Sequence, residues 1–167
     1  MRDVLADPRP LIERVYGYVA YRIGHGADAE DVTSETFERA LRYRGSFDPR
    51  RGDAAAWLIG IARRVIVDVC LRRELVTDTL PDEARDGHAD EALRRLELRA
   101  AVAQLDERDR ELVALRFGAD LTAKQIGEVL GLKTNAVEVA LHRALGRLRT
   151  SLEPPAAGIP TPAPVRV

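Results

Sequence analysis

Between Thr122 and Arg149 the chain reads TAKQIGEVLGLKTNAVEVALHRALGRLR, and few folds accommodate that run. Thr122 and Gln125 form a T-x-x-Q capping box, in which each side chain satisfies one orphan backbone N–H, so a helix starts there. Ile126 and Leu130 follow at i, i+4 spacing and face inward, and Gly127 is small enough for another helix to come close. Gly131 stands where the chain turns sharply, and Leu132 plugs the corner. Thr134 is the expected cap of the next helix, whose inward residues are Val137, Ala140, Leu141 and Leu145. A short helix, a glycine turn and a longer second helix make a helix-turn-helix, whose second helix enters the major groove with its N-terminal residues first.

On that second helix Lys133, Thr134, Asn135, Glu138, Val139, His142 and Arg143 lie on or near the open face. Asn matches adenine, Arg matches guanine, and an acid accepts from the amino group of cytosine. Arg147 and Arg149 are better suited to phosphate. An amphipathic hairpin with a solvated charged face would show the same period. The conjunction of capping box, small residue, turn glycine and apolar spacing favours DNA binding.

The rest of the chain is helical by pattern. Asp7-Pro8 starts a first helix with Leu11, Ile12, Val15, Val19 and Ile23 on one face, and Gly24-His25-Gly26 breaks it. Asp28 is the expected cap of a second helix facing inward through Val32, Phe37, Ala40 and Leu41, with an acidic first turn that suits the helix dipole. GSFDPRRG, Gly45 to Gly52, reads as a loop. Asp53 then caps a long helix, Ala54 to about Arg73, with Trp57, Leu58, Ile61, Val65 and Val69 inward. No amphipathic period survives from Leu75 to about Asp90, which reads as a linker. Helical pattern resumes at about Glu91 with Leu93, Leu96 and Val102, and again from Glu107 to Phe117. The segment after Glu153 has five prolines in fourteen residues and should be extended or disordered.

These elements predict an all-α protein of two small helical domains on an acidic flexible tether. The domains run over 8–74 and 91–153, the linker over 75–90 and the Pro-rich tail over 154–167.

The net charge of −1 hides a pattern. Ser46 to Arg73 holds 6 basic and 3 acidic residues, Glu74 to Glu91 holds 1 and 7, and Leu112 to Glu153 holds 6 and 4. Phosphates sense charge within a Debye length of about 8–10 Å, so two mildly basic segments can meet DNA despite the balanced sum. No apolar run approaches the roughly 18 residues that span a bilayer, and Met1 to Pro10 lacks the pattern of a signal peptide. With one cysteine, Cys70, no internal disulfide is possible, which fits the reducing cytoplasm.

Nothing in the sequence signals catalysis. His25, His88 and His142 lie in separate elements and Cys70 has no CxxC partner, so a zinc site is not expected. No phosphate-binding glycine loop or nucleophile motif is present, and no cofactor is expected. Asp28, Glu30 and Asp31 could be read as a Mg²⁺ cluster, but an acidic first helical turn explains them as well. A DNA-binding regulator that never engages polymerase would share the C-terminal module. Such regulators carry a sensory or phosphoacceptor domain, for which the N-terminal half has no strand-helix alternation.

The run DAEDVTSETFERAL (Asp28 to Leu41), followed by AWLIGIARRVIVDVCLRRE (Ala56 to Glu74), resembles the sigma-two domain of extracytoplasmic-function (ECF) sigma factors. LDERDRELVALRFGADLTAKQIGEVLGLKTNAVEVALHRALGRLR resembles their sigma-four domain, and the two occur in the family's order. The resemblance covers about Leu11 to Leu152. It implies a factor that binds RNA polymerase core, through its β′ and β subunits, and directs initiation at promoters with −10 and −35 elements. A cytoplasmic location, an anti-sigma partner and no membrane insertion come with it.

Carried over by position, Asp31, Ser34, Glu35 and Glu38 face the β′ coiled coil, although a merely solvated acidic face would look the same. The loop Ser46 to Asp53 takes the place of the family's base-capturing loop for the −10 strand, with Ser46, Phe47, Arg50 and Arg51 as providers. Arg63, Arg64, Arg72 and Arg73 would track the backbone or the strand-separation fork. Trp57 admits two readings, a base-stacking platform or a core residue on the stripe with Ile61 and Val65. Lys133, Thr134, Asn135, Glu138, His142, Arg143 and Arg147 would meet the −35 duplex. Ser34 stands where the family often has Gln, and Arg64 where Asn is frequent.

Overall fold

The computed structural model describes residues 5, 7–50, 52–74 and 89–153, with no strand among them. The expected linker up to residue 88, the tail from 154 and Arg51 lie outside the described residues, as do the side chains of residues 73–74 and 89–92. Seven helices follow in order: α1 Pro8–Ile23, α2 Ala27–Tyr43, α3 Ala54–Glu74, α4 Ala89–Gln104, α5 Glu107–Val113, α6 Ala123–Leu130 and α7 Thr134–Leu152. A short 3-10 turn, Arg44–Ser46, ends α2, and a wider π turn, Ala114–Gly118, extends α5.

The helix starts differ from expectation at two caps. Gly26, not Asp28, is the N-cap of α2; its φ of 116° is a conformation glycine tolerates, and Asp28 falls inside the first turn beside Glu30. Lys133, not Thr134, precedes α7 and makes no side-chain cap. Asp53 does cap α3, its Oδ1 accepting from the Ala56 N–H at 2.8 Å. The Thr122–Gln125 capping box of α6 is complete.

The core joins the two halves of the chain. Val15, Tyr18 and Val19 of α1, Val32 of α2, and Leu58, Ile59 and Val65 of α3 form one continuous apolar cluster with Leu112, Leu115, Leu121, Ile126 and Val137. A second, smaller cluster of Ala101, Val102, Leu105, Val113, Ala144 and Leu148 ties α4 to α5 and α7.

Several apolar residues expected inside lie outside. Leu93 and Leu96 are 56% and 58% exposed, because α4 buries only its last turns, at Ala101 and Val102, against its neighbours. In α7 the buried stripe is Val137, Leu141, Ala144 and Leu148, so Leu145, one residue off that line, is turned about 100° away. Ile12 and Leu41 sit at the edges of their stripes and are also exposed.

Candidate nucleic-acid and polymerase interfaces

The turn between α6 and α7 is built by two glycines with different duties. Gly131 closes α6 in the left-handed region, φ 69°, where an L side chain is strained. Gly127 approaches the turn itself: a Cβ there would lie 2.5 Å from the Leu132 carbonyl oxygen. The close neighbour is thus the corner's own backbone, not a second helix. The turn fixes α7 so that Lys133, Thr134, Asn135, Glu138, Val139, His142 and Arg143 are all exposed on one outward face.

Arg147 is committed elsewhere. Its Nε donates to the carboxylate of Asp109, a residue 3% exposed at the start of α5, and that bond raises the guanidinium pKa. The sequence reading that placed Arg147 on phosphate missed this partner, because Asp109 lies 38 residues away. Arg149 is exposed.

On α2, Asp31, Ser34 and Glu38 are exposed along one face, and with Glu35 they line a groove that also includes Arg39, Arg42 and Arg64. Glu35 is half-buried. It accepts from Arg39, whose other arm donates to Asp68 of α3 at 2.7 Å, and Arg72 stands 3.8 Å away. Glu35 therefore binds α2 to α3 as well as facing outward.

The loop after α2 places Phe47 against Trp57, ring centroids 5.4 Å apart and tilted by 58°. Trp57 is neither deep core nor an open platform; it packs on the rim of the core and walls a recess of about 240 Å³ together with Ser46, Phe47 and Asp48. Ser46 and Arg50 are exposed. Glu128 and Val129 of α6, from the other half of the chain, close the far side of that recess. Arg64 and Arg72 are exposed on α3, while Arg63 is turned toward α5 and α6.

The seam between the halves is the feature the sequence did not announce. The Tyr18 hydroxyl donates to Glu111, 3.0 Å from either carboxylate oxygen. Arg63 Nε and Arg22 Nε each lie 2.8 Å from the same carboxylate, and Arg22 also pairs with Glu107. Burial, reinforced by the negative charge of Glu111, pushes the Tyr18 phenol far above its usual range. Burial works against the Arg22 guanidinium, but Glu107 and Glu111 more than offset it and raise its pKa. Arg14 donates to the carbonyls of Ala119 and Asp120 at 2.7 and 3.0 Å, and Arg63 to that of Val129 at 3.3 Å. Gly17 and Gly118 meet backbone to backbone: a Cβ on Gly17 would lie 2.4 Å from the Gly118 oxygen.

Two family models match the chain in this order: Sigma-70 region 2 over residues 9–75, and Sigma-70, region 4 over residues 95–148. The ECF RNA polymerase sigma factor ShbA of Streptomyces griseus is 40% identical over 165 residues, covering 90% of this chain and 86% of its own length. The chain belongs to the ECF sigma factors. As a member of that family it acts with RNA polymerase in promoter-specific initiation of transcription. A second relative, the ECF sigma factor BldN of Streptomyces coelicolor, is 37% identical over 81% of this chain, which spans only 55% of BldN. The fold matches that of the sigma factor RpoE of Bartonella quintana, solved with the anti-sigma factor NepR, at a TM-score of 0.71 and 17% identity over 91% and 98% of the two chains. Among the described residues of this sigma factor no group of His, Cys, Asp and Glu could hold a metal, and no helix is long and apolar enough to cross a membrane.

Proposed function

We propose that this sigma factor divides its work between two surfaces, residues 8–74 for polymerase core and the −10 strand, and residues 91–153 for the −35 duplex. It adds no chemistry of its own, leaving catalysis to the polymerase, and it works in the cytoplasm. The observation that carries the reading is one chain presenting both a helix-turn-helix with an open recognition face and a recess walled by Phe47 and Trp57. The first suits base edges in a major groove, and the second offers ring faces to an unstacked base.

Asp31, Ser34 and Glu38 supply the exposed acidic face for a basic coiled-coil partner on β′. Glu35 contributes there mainly by holding Arg39 in place. Ser46, Phe47 and Arg50 of the loop, with Arg64 and Arg72 of α3, take the −10 strand. Lys133, Thr134, Asn135, Glu138, His142 and Arg143 take the −35 element, with Arg147 acting chiefly as the brace of α7. An anti-sigma factor is the expected inhibitor, in keeping with the RpoE structure of the same fold.

The test is titration of purified bacterial core polymerase with wild type and with Asp31→Arg/Glu38→Arg. These two positions are exposed and leave the Glu35–Arg39–Asp68 bridge intact. Tight one-to-one binding that the variant loses supports the assignment. Binding that survives the double reversal removes the core contact from this face of α2.

A further inference from the structure

A cleft of about 1030 Å³ opens between α3 on one side and α5, α6 and Leu132 on the other. Small-molecule sites fill about 300–1,000 Å³, so the cleft has room for one.

Five arginines and three carboxylates line it, and pairing them off leaves a remainder. Arg22 and Arg63 pair with Glu111, Arg22 also with Glu107, and Arg39 with Asp68. Arg64 and Arg108 are left, both exposed and neither with an ion-pair partner among the described residues. The carboxylates are already neutralised, so the cleft offers a ligand two guanidiniums, groups whose planar fork matches phosphate oxygens.

An apolar wall stands beside these charges. Val67, 55% exposed, faces the cleft from α3, and Val129, Leu130 and Leu132, all half-buried, face it from the helix-turn-helix. Gly60 keeps the space between them open. It lies inside α3, where a glycine weakens the helix, and its φ is not positive. A Cβ there would meet nothing within 4 Å, so no neighbour demands its smallness. Gly60, Arg64 and Val67 recur at i, i+4 and i+7 along the α3 wall, which puts the missing side chain one turn from Arg64.

We propose that this cleft binds a nucleoside polyphosphate, with its phosphates between Arg64 and Arg108 and its base on the Val129–Leu132 wall beside Gly60. Two cations next to an apolar wall call for a ligand that is anionic at one end and flat and weakly polar at the other. The site goes beyond promoter recognition. Arg64 is shared with the −10 surface, but Gly60 and Arg108 serve neither DNA nor polymerase.

The test is isothermal titration calorimetry of the full chain with ATP, GTP and inorganic tripolyphosphate at one ionic strength. Fluorescence anisotropy with a random-sequence single-stranded DNA pool runs beside it. The proteins are wild type, Arg108→Glu, Gly60→Leu and Arg9→Glu, the last an exposed charge reversal on α1 outside the cleft.

One site per chain is expected for ATP or GTP, at least about tenfold tighter than for tripolyphosphate. Arg108→Glu should weaken it about tenfold or more, as loss of a charge-assisted bond does. Gly60→Leu should weaken the nucleotide more than tripolyphosphate, and Arg9→Glu should change neither by more than about twofold. A wild type that binds neither nucleotide at about 1 mM overturns the site. Tripolyphosphate bound as tightly as the nucleotides overturns the base seat. Equal losses in Arg9→Glu and Arg108→Glu would report general surface charge and overturn the site too. So would Arg108→Glu weakening the DNA pool as much as the nucleotide, which would make a nucleic-acid backbone the occupant. Should Gly60→Leu misfold, Arg108→Glu decides, since its side chain is exposed. The core-polymerase titration stands apart from every one of these outcomes.

Discussion

The Tyr18 hydroxyl of α1 donates to the Glu111 carboxylate of α5 across 93 residues of chain, with both residues buried. A carboxylate placed there is costly unless it is compensated: Tyr18 of α1 donates a hydrogen bond to it, and the Arg22 and Arg63 guanidiniums of α1 and α3 stand 2.8 Å away as ion-pair partners. Glu111 thus ties α5 to both α1 and α3, beside the apolar cluster that also runs across the two halves.

Tyr18→Phe keeps the ring and removes the hydrogen bond, so it should cost about 1.5–3 kcal/mol at neutral pH, as bonds to charged groups do. The pH dependence is more diagnostic. The phenol is held protonated when folded and ionises near its ordinary value of about 10 when unfolded. Its linkage stability is therefore complete below pH about 10 and falls above it, by about 1.4 kcal/mol per pH unit while only the unfolded form has ionised. Urea midpoints between pH 8 and 11 should converge for wild type and Tyr18→Phe as pH rises. Parallel curves would mean that Tyr18 ionises as readily folded as unfolded.

The two glycines of the helix-turn-helix should respond differently. Gly131 needs only its left-handed backbone, and a Cβ added there would meet nothing within 4 Å. Gly131→Asn should then be near neutral and Gly131→Ala should cost about 1–2 kcal/mol. Gly127→Ala forces a Cβ into the Leu132 carbonyl and should cost more than either. Thermal melts of the three variants give the ranking, and a Gly127→Ala protein as stable as Gly131→Asn would show that the corner yields.

Much of this was legible in the residues. The T-x-x-Q box, the turn at Gly131 and the apolar stripe through Val15 and Val19 follow from local rules, and the structure has them where spacing puts them. Leu93, Leu96 and Leu145 went astray because periodicity identifies an apolar stripe but not how much of it a neighbour covers. Tyr18, Glu111 and Asp109 were invisible for a different reason. Each is an ordinary helix residue locally, and only tertiary packing brings its partner from 38 to 93 positions away. The desolvation of a buried carboxylate is offset in three dimensions, and no window along the chain records it.

Asp109 and Arg147 make a testable pair. Arg147→Ala strands a buried carboxylate without its partner and should lower the melting temperature. Asp109→Leu combined with Arg147→Met removes both charges and should recover much of that loss, since the penalty lies in the unpaired buried carboxylate and the Arg147 side chain is itself 56% exposed. A double variant no more stable than Arg147→Ala alone would locate the damage in packing and not in the unpaired charge.

The last prediction separates reading from holding on α7. Lys133 and Asn135 are both exposed at its start, but their chemistry differs. Lysine is a point charge that meets phosphate, whereas an asparagine amide can pair bidentately with adenine. Lys133→Ala should weaken duplex binding about equally for all sequences and reduce the slope of log affinity against log salt by about one. Asn135→Ala should leave that slope unchanged and relax preference at a single base pair, a loss of about 1–3 kcal/mol of discrimination. Arg147→Ala, its guanidinium held by Asp109, should alter neither slope nor preference in protein that remains folded. Selection from a random duplex pool, repeated at several salt concentrations, measures both quantities on one set of proteins. A salt slope that drops with Arg147→Ala as much as with Lys133→Ala would mean that Arg147 leaves Asp109 for phosphate when DNA arrives.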